Sequence, residues 1–296
     1  MKRIMICLLC VAILCGCGNV ATQSYDKKLT IVTTIFPLFD FARQICGNKA
    51  DVKMLIKPGS EVHSYDPVPS DMASVYNSDL FLYIGGESDK WVESLLDDGD
   101  INTLPLITFI QEQTEHHHGH DHADEHIWTS PQNATIMLEK ICESIVKVDP
   151  ENAEYYKENC NEYIKDINDV SKEIKTVVSQ KKDRFIVVAD RFPFVYFTDY
   201  FGLEYDAAFD GCAVSTDISL KTMLRLTKTI QDKNINTIFV TELSSKNIAR
   251  ALNEELGVQI VELHSAHNVS SDDFNSGVSY VDIMYRNKKA LERGLL

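Results

Sequence analysis

An uninterrupted helical pattern from Glu151 to Lys182 is the feature that most limits how this chain can fold. Apolar side chains recur there every three or four residues, and neither proline nor glycine breaks the run. These side chains are Tyr156, Cys160, Tyr163, Ile164, Ile167, Val170, Ile174, Val177 and Val178. A helix of this length measures on the order of 45 Å, more than most globular domains need. The pattern therefore predicts a rigid connecting helix, 151–182, between two lobes.

Strand-like segments alternate with helical segments on both sides of this helix. Before it, strands are predicted at 29–35, 52–56 and 80–84; after it, they are predicted at 185–189, 237–240 and 259–263. Strands that alternate with helices form parallel βαβ units. The predicted fold is α/β, with an amino-terminal lobe over 29–150, a carboxyl-terminal lobe over 183–296 and a parallel sheet in each.

The first residues have the composition of an export signal. Lys2 and Arg3 precede an apolar stretch, 4–14, that is too short to span a bilayer. The stretch ends in Leu14-Cys15-Gly16-Cys17, which resembles the lipobox of bacterial lipoprotein signals. We expect a signal peptide over 1–16, a lipid on Cys17, a tether over 17–28 and a location on the outer face of the cell membrane. The alternative is an ordinary secretory signal with incidental cysteines.

The chain is strongly acidic, with a formal net charge of −15. This charge argues against nucleic acid or an anionic membrane surface as a partner and is compatible with the capture of cations. Four cysteines follow the leader: Cys46, Cys142, Cys160 and Cys212. Their spacing matches no C-x-x-C motif, so both disulfides and buried free thiols stay open.

Three of the nine histidines stand where a cleft between the lobes is expected. His63 follows the strand at 52–56 and a Pro-Gly turn, His264 follows the strand at 259–263, and His126 follows another loop. Ligands of open α/β sheets gather beyond the carboxyl ends of the strands. We therefore expect the three imidazoles to converge, although a single histidine more often has a packing or surface role.

A histidine-rich segment over 113–125 immediately precedes His126. It contains His116, His117, His118, His120 and His122, together with Asp121, Asp124 and Glu125. Such a run cannot build a core, so it is predicted to be a mobile loop. Imidazole and carboxylate groups at this density bind late first-row divalent cations. The alternative is an incidental low-complexity tract.

Extended motifs surround His63 and His126. The motifs are Gly59-Ser-Glu-Val-His63-Ser-Tyr-Asp-Pro67-Val-Pro69-Ser-Asp-Met, continued by Leu80-Phe-Leu-Tyr-Ile-Gly85-Gly86 and Trp91, and Glu125-His126-Ile-Trp128-Thr-Ser-Pro131-Gln-Asn133. They resemble the first two metal-ligand motifs of the zinc and manganese ABC-transporter solute-binding proteins. The likeness runs from Leu29 to the carboxyl terminus and implies two (β/α) lobes with metal in the cleft between them. A histidine-rich loop before the second motif is typical of the zinc-specific branch.

The third motif of that family is altered here. Phe194-Val-Tyr196-Phe197 is present, but Arg191 occupies the position three residues earlier, where relatives carry His or Glu. A guanidinium stays protonated and cannot ligate a metal. Relatives also carry an Asp after the last sheet strand, where this chain places His264. The resemblance therefore implies three ligands: His63, His126 and His264.

Three imidazoles with an open fourth position suit tetrahedral Zn²⁺ better than Mn²⁺, which prefers oxygen-rich octahedral sites. The fourth ligand stays open between water and the carboxylates of Glu61, Asp190 and Glu242. Arg191 is expected to pair with Glu242 or Asp190, and the paired carboxylate would then support the ligands without binding the metal itself. His267 competes with His264 for the third place but is interpreted as an ordinary loop histidine.

The expected function is capture of Zn²⁺ by a monomer and its delivery to an ABC permease. A separate ATPase would drive transport, because this chain has no G-x-x-x-x-G-K-[ST] loop. Carriage of Mn²⁺ or Fe²⁺ is the alternative. A zinc hydrolase is less expected, because no H-E-x-x-H or Ser-His-Asp arrangement stands out. An adhesin is also less expected, because no repeats or β-sandwich pattern support that role.

Overall fold

The computed structural model describes residues 28–96, 101–112, 124–211 and 218–295. In the amino-terminal half the strands are β1 (Leu29–Thr33), β2 (Ala50–Met54), β3 (Leu80–Tyr83) and β4 (Thr103–Pro105). The helices are α1 (Phe36–Cys46), α2 (Pro69–Tyr76), α3 (Trp91–Leu96) and α4 (Pro131–Val148). All neighbouring strands are parallel, in the order β2-β1-β3-β4. The inner strands β1 and β3 are short, apolar and almost wholly buried, as parallel strands with both faces covered must be.

The carboxyl-terminal half repeats this arrangement after the long helix α5 (Ala153–Ser179). Its strands are β5 (Phe185–Phe192), β6 (Glu204–Asp210), β7 (Thr237–Val240) and β8 (Gln259–Glu262), in the parallel order β6-β5-β7-β8. The helices are α6 (Val195–Phe201), α7 (Leu220–Asp232), α8 (Asn247–Leu256), α9 (Ser271–Ser276) and α10 (Tyr280–Gly294). The register of β5 shifts between Val188 and Arg191. Irregularities of this kind change the direction in which the following side chains point, and they are common next to functional sites.

The long helix α5 packs against both lobes. It packs against α1 and α4 of the amino-terminal half and against α10 of the carboxyl-terminal half. Tyr156, Ile167 and Ile174 on its apolar face are completely buried. One continuous core cluster contains these residues and side chains from both sheets, Ile31 of β1 and Ile186 of β5 among them. A shared core of this kind favours small rotations of the lobes over wide hinge opening.

A buried carboxylate joins the lobes near the middle of this helix. Asp40 of α1 is fully buried. It accepts hydrogen bonds from the Tyr163 hydroxyl of α5 and from the Tyr280 backbone N–H of α10 at 2.7 Å. Arg43 donates to Asp40 at 2.8 Å and also to the Gly277 carbonyl at 3.1 Å. Asp40 therefore holds helices of both halves in one network.

The predicted fold class is confirmed, as is the long helix, which is slightly shorter than 151–182. The lobe boundaries at 150 and 183 stay a prediction. The strands β4 and β6 and the helix α4 were not predicted. Cys46, Cys142 and Cys160 are buried free thiols, and burial raises the pKa of Cys46 to about 12. Within the described ranges, no helix is both long and apolar enough to cross a membrane.

Candidate metal site

Three histidines meet at the carboxyl ends of the strands. His63 lies in the loop between β2 and α2, His126 precedes the turn that leads into α4, and His267 lies in the loop between β8 and α9. One ring nitrogen from each lies within 4.8 Å of the other two. The ring centroids are 5.0 to 5.6 Å apart. Among the described residues, this is the only set of three or more His, Cys, Asp or Glu side chains so placed.

His63 is oriented by groups behind its Nδ1 atom. Nδ1 lies 3.2 Å from the Ser88 hydroxyl and 3.6 Å from Oε1 of Glu125. Glu125 is buried and accepts hydrogen bonds from the Ser88 backbone, at 3.0 Å, and from its hydroxyl. Burial acts to raise the pKa of Glu125, but hydrogen bonding to His63 and the charge of His126 outweigh it, so this pKa lies well below its usual range. The contacts at Nδ1 leave Nε2 of His63 as the nitrogen for a metal.

His126 has the same kind of support from within its own loop. It is completely buried, and its Nδ1 lies 3.2 and 3.3 Å from the two oxygens of Asp124. The backbone N–H of His126 also donates to Asp124 at 2.8 Å. Tyr196 from the other lobe donates to the Asp124 carbonyl at 3.2 Å. A carboxylate behind the ring is the usual support of a metal-bound histidine.

The loop that carries His267 is fastened to the loop that carries His63. The Asn268 side chain donates to the carbonyls of Lys57 and Ser60 at 2.9 and 2.8 Å. The His267 carbonyl accepts from the Phe36 N–H at 3.4 Å. These bonds cross from the second lobe to the first, so they place His267 against the amino-terminal half.

The structure corrects the position of the third histidine, because His264 does not join His63 and His126. Its Nδ1 accepts a hydrogen bond from the Ala266 N–H at 2.9 Å, so the neutral ring carries its proton on Nε2. This contact occupies Nδ1, and His264 contributes no nitrogen to the group that contains His63 and His126. Ala266 has a left-handed backbone, with φ of +61°, which is uncommon for a residue with a side chain. This turn reverses the chain, and His267 lies with the other two imidazoles.

The carboxylates considered as fourth ligands are engaged elsewhere or lie outside the histidine group. Glu242 accepts from the Ser265 N–H at 2.7 Å and from the His267 N–H at 3.2 Å, so it braces the turn behind His267. Arg191 pairs with Glu61 at 2.9 Å, and the predicted pairing of its guanidinium with Glu242 or Asp190 is wrong. Asp190 instead accepts the Arg191 backbone N–H at 2.9 Å.

Sequence reasoning missed the groups that orient the imidazoles. The sequence places Asp124 in the histidine-rich segment and Glu125 both there and in the second motif, but it indicates no orienting role for either residue or for Ser88. An acidic residue one or two positions before a candidate ligand was the available signal. His116, His117, His118, His120 and His122 lie outside the described residues, as does Cys17, so their predicted roles stay predictions.

The burial of His267 makes the stability of the metal-free protein depend on pH. Burial, and then the charges of His126 and His63, hold the pKa of His267 well below its usual range. The same imidazole in an unfolded chain gains a proton near pH 6.5, so below that pH the unfolded state binds a proton that the folded state does not. Stability contributed by a neutral His267 is therefore complete above about pH 6.5 and is lost as the pH falls towards the lowered value.

Urea unfolding of the metal-free protein tests whether stability falls in this direction of pH. Between about pH 7.5 and about pH 5.5, wild type is expected to lose about 1 kcal/mol more unfolding free energy than His267→Gln, since each unit of pKa difference is worth about 1.4 kcal/mol. An equal loss in both proteins would contradict the buried, neutral state of His267.

Two parallel α/β lobes on a shared helix, with three converging imidazoles between them, define a two-lobed metal-binding solute-binding protein. The chain belongs to the family described as zinc-uptake complex component A, periplasmic (ZnuA), whose profile matches residues 31–294.

Named relatives agree with this family. The chain is 30% identical to the high-affinity zinc uptake system protein ZnuA of Bacillus subtilis, over 97% of this chain and 95% of that protein. It is 29% identical to the zinc-binding lipoprotein AdcA of Streptococcus pneumoniae over 99% of this chain, but it spans only 61% of AdcA.

Solved structures give the same result. The metal-dependent lipoprotein YcdH of Bacillus subtilis superposes with a TM-score of 0.80 at 29% identity, covering 91% of this chain and all of that one. The Zn(II)-bound ZnuA-like domain of Streptococcus pneumoniae AdcA superposes with a TM-score of 0.78 at 28% identity, covering 90% and 99% of the two chains.

Proposed function

We propose that this protein captures Zn²⁺ outside the cytoplasmic membrane and delivers it to the permease of an ABC importer. The observation that carries the proposal is the convergence of His63, His126 and His267, with their ring nitrogens within 4.8 Å of one another. The relatives named above as zinc-uptake and zinc-binding proteins support the choice of cargo.

The donor set favours zinc over the alternatives Mn²⁺ and Fe²⁺. Three imidazoles and one further ligand make a tetrahedral zinc site, whereas Mn²⁺ prefers more oxygen ligands in an octahedral arrangement. Glu61 and Glu242 are held by Arg191 and by the Ser265 turn, so neither adds an oxygen to the histidine group. No carboxylate among the described residues belongs to the histidine group, so we assign the fourth position to water or another small ligand.

The proposed mechanism is binding without a reaction. The ligands come from loops of both lobes, and contacts such as Asn268 to Lys57 already fasten those loops together. The cost of arranging the ligands is thus met when the protein folds, which favours tight capture. Release would need the lobes to shift at the membrane permease, with a separate ATPase supplying the energy. We assign no catalysis to this site, and we place a monomer, anchored through lipid on Cys17, at the outer face of the membrane.

Isothermal titration calorimetry with Zn²⁺, Mn²⁺ and Fe²⁺ in turn, the last without oxygen, tests the proposed cargo. We expect one high-affinity site for Zn²⁺ and much weaker binding of the other two ions. Tighter binding of Mn²⁺ or Fe²⁺ would contradict the proposal.

The histidine-rich segment is proposed to hold additional, weaker zinc sites that raise the local ion concentration. Deleting residues 116–122 removes five imidazoles and leaves Asp124 in place behind His126. Zinc titration is expected to lose its weaker phase and to keep the tight site. Loss of the tight site on deletion would show that the histidine-rich segment, rather than the cleft, forms that site.

Glu125 is expected to matter for zinc although it does not bind the ion. Glu125→Gln removes the charge behind His63 while keeping the size of the side chain. We expect zinc affinity to fall about 10- to 100-fold, the usual effect of losing a group that orients a ligand. Glu87→Gln is the matched control, because Glu87 is exposed and pairs with Lys90. Equal affinities of the two variants in a competition assay with a chromogenic chelator would contradict this role.

A further inference from the structure

A cavity of about 450 Å³ adjoins His63 and His267. Its walls come from the loop that carries His63 and from the loops that follow the strands of the carboxyl-terminal sheet. A water molecule occupies about 30 Å³ in the liquid, so a zinc ion with one bound water would fill only a small part of this space. The volume suits a small organic molecule beside the ion.

Two neighbouring residues that line this cavity, Asp190 and Arg191, each have a buried polar atom: an acceptor on Asp190 and a donor on Arg191. Arg191 uses one terminal nitrogen for Glu61 and its backbone N–H for Asp190, while its Nε is buried and has no hydrogen-bond partner among the described residues. Asp190 uses Oδ1 for that backbone bond, while its Oδ2 is also buried and, within the described part of the chain, accepts no hydrogen bond. Both residues line the cavity, and each keeps one unused polar atom, a donor on Arg191 and an acceptor on Asp190, buried just behind the cavity surface.

The chemistry of these atoms defines a ligand. The Nε atom of arginine belongs to the edge that pairs with both oxygens of a carboxylate. A buried carboxylate oxygen needs an O–H or N–H donor. Both demands are met by a molecule that carries a carboxylate next to a hydroxyl or an amine, and such molecules chelate Zn²⁺ through those two groups.

We infer that the cavity binds a small α-hydroxy- or α-amino-carboxylate chelated to the captured ion. The chelator supplies the ligands that the protein does not, its carboxylate accepts from Arg191, and its coordinated O–H or N–H donates to Asp190. This inference rests on the proposed function, because it assumes zinc at the histidine group. Binding of a chelator carboxylate would give Arg191 a role at the position where the resemblance implies a metal ligand.

Native mass spectrometry of the zinc-loaded mature protein tests the inference. The protein is sprayed with Zn²⁺ alone and with Zn²⁺ plus citrate, L-histidine or, as a non-chelating comparison, acetate. Citrate or L-histidine is expected to give a ternary complex of protein, zinc and chelator, and acetate is not. Arg191→Gln is expected to lower the ternary-to-binary ratio at least about tenfold, about 1.4 kcal/mol. Lys246→Gln, at another cationic wall residue that faces Glu262, is expected to keep the ratio.

The outcomes separate this inference from the function on which it rests. Zinc adducts without any ternary complex, for both chelators, would overturn the inference and leave zinc capture standing. A ternary complex that Arg191→Gln and Lys246→Gln reduce equally would also overturn it, because the chelator would then follow overall charge. Absence of any zinc adduct would contradict the proposed function itself.

Discussion

Replacing His267 with alanine is expected to weaken Zn²⁺ binding by at least about 100-fold. Loss of a group that only orients a ligand costs about 10- to 100-fold, and His267 is proposed to be a ligand itself. Its nitrogen lies within 4.8 Å of those of His63 and His126, so its removal leaves only two imidazoles. Competition against a zinc chelator of known affinity measures the change.

His264→Ala is the matched control for that variant. His264 lies three residues away, is equally buried and contacts Ala266 and Glu242 rather than the other imidazoles. Its replacement is expected to lower stability but to change zinc affinity of the folded protein less than about tenfold, which is 1.4 kcal/mol. A greater loss of affinity in His264→Ala than in His267→Ala would reverse our assignment.

Removing the buried carboxylate of Asp40 is expected to have the largest effect on folding. Asp40→Ala leaves the Tyr163 hydroxyl, the Tyr280 N–H and the Arg43 guanidinium without their shared acceptor. Breaking a buried charged pair by removing one partner costs about 3–5 kcal/mol, and we expect a loss of that size in the free energy of unfolding. Urea denaturation of the metal-free protein, followed by tryptophan fluorescence, measures it.

Asp51→Ala separates this network from a general effect of lost charge. Asp51 lies in the same half and pairs with Lys28 at 2.6 Å, but both side chains are exposed. Exposed pairs contribute little, so its replacement should change the unfolding free energy by less than about 1 kcal/mol. Similar losses in the Asp40 and Asp51 variants would show that Asp40 does not hold the two lobes together.

The fold was predictable where buried elements have a regular apolar pattern. The helix α5 repeats apolar residues over seven turns, and β1, β3 and β7 are short apolar runs, so each has a clear signal. The strand β6 escaped prediction because it is an edge strand with Glu204, Asp206 and Asp210 in a seven-residue segment. The helix α4 could have been predicted, since Ser130 caps it and Pro131 occupies its first turn.

The candidate site was predictable as a place but not as a complete set of residues. His63 and His126 stand in extended motifs, and the positions of His63 and His264 directly after predicted strands indicated the cleft. The choice between His264 and His267 depends on the left-handed turn at Ala266, and alanine gives no sequence signal for that conformation. The pairing of Arg191 with Glu61 joins residues 130 positions apart. Only the docking of the two lobes brings them together.

Crystallography of the zinc-loaded protein, with anomalous data on both sides of the zinc edge, tests the central claim most directly. We predict one strong anomalous peak between His63, His126 and His267, with zinc–nitrogen distances of about 2.0–2.1 Å. A peak coordinated by His264, or a cleft without zinc while the ion binds elsewhere, would contradict it.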